Sequence, residues 1–198
     1  MLPANKSLRF ARRFFLVAGS VTLAYVAGTV AYAGIYQRYE SLKFDQELAA
    51  PRAANAAIVQ ETVDLREGGL IGKLEIPRIG ISVMLLQGMD EATLILGAGH
   101  VPGTPLPGVE GNVVIAAHRD TFFRKLEGIL PGDNIRFSTT RRTYEYIVES
   151  SEVADPVDTR SMESRAREEL TLITCYPFYF VGAAPKRFIV HARPPKQE

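Results

Sequence analysis

From residue 70 onward, apolar and polar positions alternate in short runs separated by Gly, Pro, Asp and Asn. Period-two alternation marks strands with one buried face. The pattern predicts strands at 71–76 (IGKLEI), 81–86 (ISVMLL), 112–118 (NVVIAAH), 133–139 (DNIRFST), 143–153 (TYEYIVESSEV), 170–175 (LTLITC) and 186–192 (KRFIVHA). Seven or more short strands with turn signals between them predict an all-β domain, a small barrel or sandwich. Helical pattern is thin: 90–99 (DEATLILGAG), a short 121–129 (TFFRKLEGI), and the charged 160–169 (RSMESRAREE), which reads as a solvated surface loop with a helical turn. The segment 99–112 (GHVPGTPLPGVEGN) holds too much Gly and Pro for either element and reads as a loop.

Ahead of this region the pattern is different in kind. Residues 14–36 (FFLVAGSVTLAYVAGTVAYAGIY) carry no charge and follow Lys6, Arg9, Arg12 and Arg13. As a helix they span about 34 Å, enough for a bilayer core. The basic flank predicts a cytoplasmic N-terminus and an extracytoplasmic remainder, so the expected location is the plasma membrane, single-pass. The small-x-small triplet Ala31–Ala33 leaves open a cleaved leader, but the apolar run is longer than such leaders carry. Residues 37–69 are rich in Ala, Glu, Gln and Arg without a dense apolar stripe and read as a juxtamembrane helix or stalk, interrupted at Pro51 and closed by Gly68 and Gly69. The expected division is therefore a basic tail at 1–13, a membrane anchor at 14–36, a stalk at 37–69, a β-domain at 70–193 and a short tail at 194–198.

A net charge of +1 in 198 residues, with Lys and Arg scattered through the β-region, gives no electrostatic footprint for nucleic acid. The single cysteine, Cys175, excludes an internal disulfide, so an exported domain must hold itself together by packing.

Candidate chemistry lies at strand ends. His118 closes an apolar strand and shares a face with Val114 and Ala116, whose small side chains leave room above them. Cys175 closes another strand, on the face of Thr171 and Ile173, while Leu172 and Thr174 point the other way. Arg187 opens the next, on the face of Ile189 and His191. If consecutive strands pair, Cys175 meets Arg187 across a sheet and His118 reaches them from a third strand. Thiolate, imidazole and guanidinium together can run acyl transfer, the first attacking a carbonyl, the second protonating the departing amine, the third donating hydrogen bonds to developing negative charge. By residue type alone Cys175 reads at least as well as a small core hydrophobe. Arg187 and His191 have plain readings as surface residues, and His100 as a turn-stabilising side chain.

The motifs carry more than the residue types do. TLITC at 171–175, GNVVIAAHRDTFFRKLEGILPGDNI at 111–135 and APKRFIVHA at 184–192 resemble, in this order and spacing, the nucleophile, histidine and arginine segments of the sortases, membrane-anchored bacterial cysteine transpeptidases. The similarity runs over about 70–193, and TCYPF with the Gly/Pro segment 99–112 is most similar to class D of that family.

The resemblance implies a closed eight-stranded barrel with Cys175 as nucleophile, His118 as general acid and base, and Arg187 stabilising oxyanion or substrate. It implies that Ala116, Ala117, Ile173 and Thr174 line the peptide groove, with Ala117 standing where many relatives carry Gly. The implied substrates are secreted proteins bearing an L-P-x-T-G or L-P-x-T-A sorting signal, and the implied acceptor is an amine such as a cell-wall precursor or a pilin lysine. No cofactor or metal is required by this chemistry, and the carboxylates form no dense cluster that demands the calcium some relatives bind.

Rival readings remain at this point: a pilus-assembly member of the family, or a membrane-anchored β-domain that only binds peptides. L,D-transpeptidases and papain-like hydrolases expect different contexts around their cysteine.

Overall fold

A computed structural model describes residues 6–49, 66–140, 142–158 and 167–195. The chain divides into two compact units between Tyr36 and Gln37. The part of helix α1 (Lys6–Ala49) up to Tyr36 supplies the first. The large apolar side chains of α1 from Leu8 to Ile35 are exposed, and among the described residues it is the one helix long and apolar enough to cross a membrane.

The second unit is built from strands β1 (Leu70–Ile76), β2 (Ile81–Gln87), β3 (Ala98–His100), β4 (Asn112–Ala116), β5 (Asn134–Ser138), β6 (Thr143–Ala154), β7 (Glu169–Tyr176) and β8 (Lys186–Arg193), with one short helix, α2 (Glu91–Leu96). They close into a barrel in the order β1-β2-β3-β4-β7-β8-β6-β5. All pairs are antiparallel except β2 with β3 and β4 with β7. Closure leaves no sheet edge to protect.

The alternation read from sequence is the inside-outside alternation of this barrel. Leu74 and Ile76, Val83 and Leu85, Val113 and Ile115, Ile135 and Phe137, Tyr146 and Val148, Leu170 and Leu172, and Val190 and Ala192 fill one continuous core. Gly72 interrupts the pattern in β1 for a steric reason. A Cβ there would lie 2.3 Å from the Ser138 carbonyl oxygen, so the close approach of β1 to β5 tolerates no side chain.

Four boundaries differ from the sequence expectation. The strand expected at 112–118 ends at Ala116, so His118 stands two residues beyond the ladder. The stretch 90–99, expected as one helix, splits into α2, capped by the Asp90 carboxylate accepting from the Thr93 N–H at 3.0 Å, and strand β3. The expected helix at 121–129 is a 3-10 segment, Arg124–Gly128. Within 37–69, expected as a juxtamembrane helix or stalk separate from the β-domain, residues 37–49 are helical as the end of α1 but belong to the barrel unit. There the Met84 N–H donates to Gln37 Oε1 at 2.9 Å, Gln37 Nε2 donates to the Leu96 carbonyl, and Asp45 pairs with Lys73 at 3.0 Å. Phe44 is buried in the same contact region. Positions 50–65 of the expected stalk, and 160–166 of the expected charged loop, lie outside the described residues.

Candidate active site

Three neighbouring strands, β4, β7 and β8, bring the candidate residues to one rim. β4 and β7 run parallel with Ala116 beside Ile173, so their C-terminal ends emerge together. Past the end of β4 the ladder continues for one more bond, from the Ala117 N–H to the Ile173 carbonyl at 3.2 Å. The Thr174 hydroxyl then donates to the Ala117 carbonyl at 2.8 Å. His118 follows directly. On the other side of β7, Cys175 and Arg187 are cross-strand partners.

The faces agree as well. Leu170 and Leu172 of β7 and Val190 and Ala192 of β8 point into the core, so Cys175 and Arg187, of opposite parity, lie on the outer face. Continuing the alternation of β4 places His118 on the same side as Ala116. All three candidate side chains are partly exposed, so none is sealed away from a substrate. Arg187 Nη1 donates to the Lys186 carbonyl at 3.2 Å, the one hydrogen bond of its fork among the described residues. Among the described residues no hydrogen bond joins the His118 imidazole to the Cys175 thiol; the two share a rim without being locked together.

The four residues expected to line a groove divide between the two faces. Ala116 and Ile173 lie outward with His118 and Cys175. Ala117 belongs to the core cluster, and Thr174, 2% exposed, faces inward and spends its hydroxyl on Ala117. Following and facing Cys175 in the ladder, Tyr176, Phe178 and Phe188 make a mutual aromatic cluster, with ring centroids 5.2 to 6.3 Å apart. The turn after β7 exposes Tyr179, Phe180 and Val181. Arg124 stands over the Tyr179 ring at 4.5 Å.

The Gly/Pro segment before β4 is tied down at both ends. At its start the buried His100 sits between Gln87 and the Pro105 carbonyl, with Nδ1 2.8 Å from Gln87 Oε1 and Nε2 3.0 Å from Pro105 O. Burial holds the imidazole below its ordinary value, opposed in part by the Pro105 bond. Thr104 donates to the Val101 carbonyl at 2.8 Å and accepts from the Val114 N–H at 3.3 Å, so the segment lies against the outer side of β4. At its far end Gly108 N–H donates to Glu168, which also accepts from the buried Tyr146 hydroxyl at 2.6 Å. Burial, together with that bond to a carboxylate, pushes the Tyr146 phenol far up. Sequence pattern points to His100 only as a turn residue and gives no sign of its partner Gln87, which sits in another strand.

A cleft of about 300 Å³ lies along β6, β8 and β7, lined by Glu149, Glu152, Glu169, His191 and Arg193 among others. It is displaced from Cys175, and its charged groups pair with one another: His191 with Glu152 at 3.1 Å, and Arg193 with Glu149 at 3.2 Å and Glu169 at 3.1 Å. Among the described residues no three His, Cys, Asp or Glu side chains are grouped so as to hold a metal ion.

Comparison with known proteins points one way. Residues 74–195 match the family model of the sortase domain. The chain is 30% identical over 189 residues to sortase D of Bacillus subtilis strain 168, covering 90% of this chain and 95% of that one. It is 27% identical over 164 residues to a sortase A of Bacillus anthracis, covering 78% and 72% respectively. Among solved structures, that of a Clostridium perfringens sortase D5 transpeptidase superposes with a TM-score of 0.66 over 84% of this chain and 99% of the other. At 22% identity that last likeness is one of fold.

Proposed function

Since this chain belongs to the sortase family of cysteine transpeptidases, we propose that it cleaves an L-P-x-T-G or L-P-x-T-A type sorting signal after the threonine and transfers the acyl group to an amine. The single observation that carries the reading is the meeting of His118, Cys175 and Arg187 on the outer face of three adjacent strands, at one rim.

In this mechanism the Cys175 thiolate attacks the threonine carbonyl. Arg187, across the ladder, donates hydrogen bonds to the oxyanion that forms; a guanidinium suits this work because it keeps its charge and presents a planar fork of donors. Collapse of the tetrahedral adduct expels the downstream amine, which takes a proton from the His118 imidazolium. The enzyme is left as a thioester. An incoming amine then loses a proton to His118, attacks the thioester carbonyl and releases the thiolate, forming a new amide bond.

Ala116 and Ile173, outward and beside the two reacting side chains, form the floor on which the sorting peptide lies. Ala117 and Thr174 support that floor from within the barrel. The substrates are secreted proteins ending in a sorting signal, and the acceptor is an amine on a wall precursor or a pilin. Residues 14–36 anchor the chain in the plasma membrane with the basic N-terminus cytoplasmic, the orientation that the Arg9, Arg12 and Arg13 flank supports.

Incubation with a panel of sorting peptides and candidate amines, with products identified by mass spectrometry, tests the proposal. A product joining the threonine carbonyl to the added amine supports it, and peptides that bind and are never cut refute it.

A further inference from the structure

Arg119 immediately follows the candidate acid-base residue, yet it behaves unlike a surface cation. Its side chain is only 6% exposed. A buried guanidinium is costly unless its donors are met. Here Nη1 donates to the Pro177 carbonyl at 2.8 Å and Nη2 to the Phe180 carbonyl at 2.9 Å. Nε and Nη2 also reach the two carboxylate oxygens of Asp120, each at 3.2 Å.

Both carbonyls belong to the turn that leaves β7 directly after the nucleophile. Pro177 is two residues beyond Cys175, and Arg119 is one residue beyond His118. On the opposite side of each reacting residue stands the other cross-link, from the Thr174 hydroxyl to the Ala117 carbonyl at 2.8 Å. His118 is therefore bracketed by Ala117 and Arg119, and Cys175 by Thr174 and Pro177, with one tie before the pair and one after it. Farther along, Arg124 links the same loop to that turn, donating to the Phe178 carbonyl and standing over the Tyr179 ring, so Arg119 is the tie that lies next to the reacting pair.

We propose that Arg119 is a positioning residue for the transpeptidation, fixing the spacing between His118 and Cys175 by clamping the residues after β4 to the turn after β7. The inference rests on the sortase reading of these two side chains. Arginine suits the task because one rigid fork serves two carbonyls and a carboxylate together; lysine, a point donor on a flexible stem, meets only part of that set. Asp120 stands at the rear of the guanidinium, balances its charge and fixes its plane.

The test compares Arg119→Gln, Arg119→Lys and Asp120→Asn with the parent, well below each variant's melting temperature and with folding checked by circular dichroism. Two readouts are taken: kcat and KM for sorting-peptide cleavage, and the pH profile of Cys175 alkylation by iodoacetamide. Misplacement on the order of 1 Å costs about a hundredfold in rate, so Arg119→Gln should lose about tenfold to a hundredfold in kcat with KM little changed. Arg119→Lys should recover part of that loss, and Asp120→Asn should show a smaller loss in the same direction. The alkylation profile should shift in Arg119→Gln, since the imidazole no longer sits in register with the thiol. Parent-like kcat and an unshifted profile in the folded variants would overturn the proposal, as would a lowered melting temperature as the sole effect. Should Arg119→Gln fail to fold, Arg119→Lys and Asp120→Asn decide by the same criteria. A parent protein that cuts no sorting peptide overturns the sortase reading instead, and the alkylation profile then still reports whether Arg119 sets the pair.

Discussion

Cys175 and Arg187 are direct partners across the β7–β8 ladder, on the outward face of the barrel. Non-neighbouring in sequence, they are placed by register alone, and a slip of one residue in β8 would turn Arg187 into the core. In the proposed mechanism, that pairing sets the guanidinium across the ladder from the charge that develops when Cys175 attacks a carbonyl.

Arg187→Lys therefore keeps the positive charge and loses the planar fork. Removing a donor from an oxyanion site costs about a hundredfold to a thousandfold, and retained charge recovers part of it. The expected result is a fall of at least about tenfold in kcat for sorting-peptide cleavage, measured by steady-state kinetics with the melting temperature unchanged. Activity within about twofold of the parent would make Arg187 a packing residue.

Thr174→Val removes a hydroxyl and leaves its shape. The Ala117 carbonyl then loses its donor in a buried setting, at a cost of about 1–2 kcal/mol. Urea unfolding should show that loss, and kcat should fall with it because Ala117 directly precedes His118. Thr174→Ser, which keeps the hydroxyl, should restore most of both; a serine variant as impaired as the valine one would assign the effect to packing.

His100 gives the barrel an acid sensitivity. Its imidazole is held below the ordinary value by burial, so the folded state resists a proton that the unfolded chain accepts at about pH 6.5. In that range the unfolded state binds more protons, and stability must decline as pH falls from about 6.5 toward the lowered folded value. His100→Gln removes the titrating group. Thermal melts from neutral to mildly acid pH should show a shallower decline for the variant than for the parent, and parallel declines would assign the acid response to other groups.

Much of the barrel and its rim is legible in the chain, for reasons that can be named. The strands that carry Cys175 and Arg187 alternate cleanly because one face of each packs a core of Leu170, Leu172, Val190 and Ala192, so the outward parity of the reactive side chains follows from the order of residues alone. The apolar stretch before Gln37 is equally plain, since nothing but length and absence of charge defines it.

Other features depend on tertiary context. Ala98–His100 has three residues, no β-branched side chain and a glycine, and becomes a strand because β2 and β4 flank it. The parallel pairing of β4 with β7, which sets His118 beside the strand of Cys175, joins residues more than fifty positions apart and leaves no local trace. The family likeness sets Ala117 and Thr174 near the chemistry, yet they look inward; their contribution passes through a hydrogen bond and not through contact with a groove. The segment after Tyr36 belongs with the barrel through Gln37 and Asp45, whose partners Met84 and Lys73 composition could not reveal.

The central claim is a covalent one, that the thiol at the end of β7 carries the acyl group. Intact-protein mass spectrometry after rapid acid quench of the enzyme with a sorting peptide, in the absence of an amine acceptor, reads it directly. The account predicts an adduct with the mass of the peptide through its threonine, mapped to Cys175 by digestion, and lost in Cys175→Ala together with all cleavage. Cleavage that persists in Cys175→Ala, or an adduct mapped to any other residue, would contradict it.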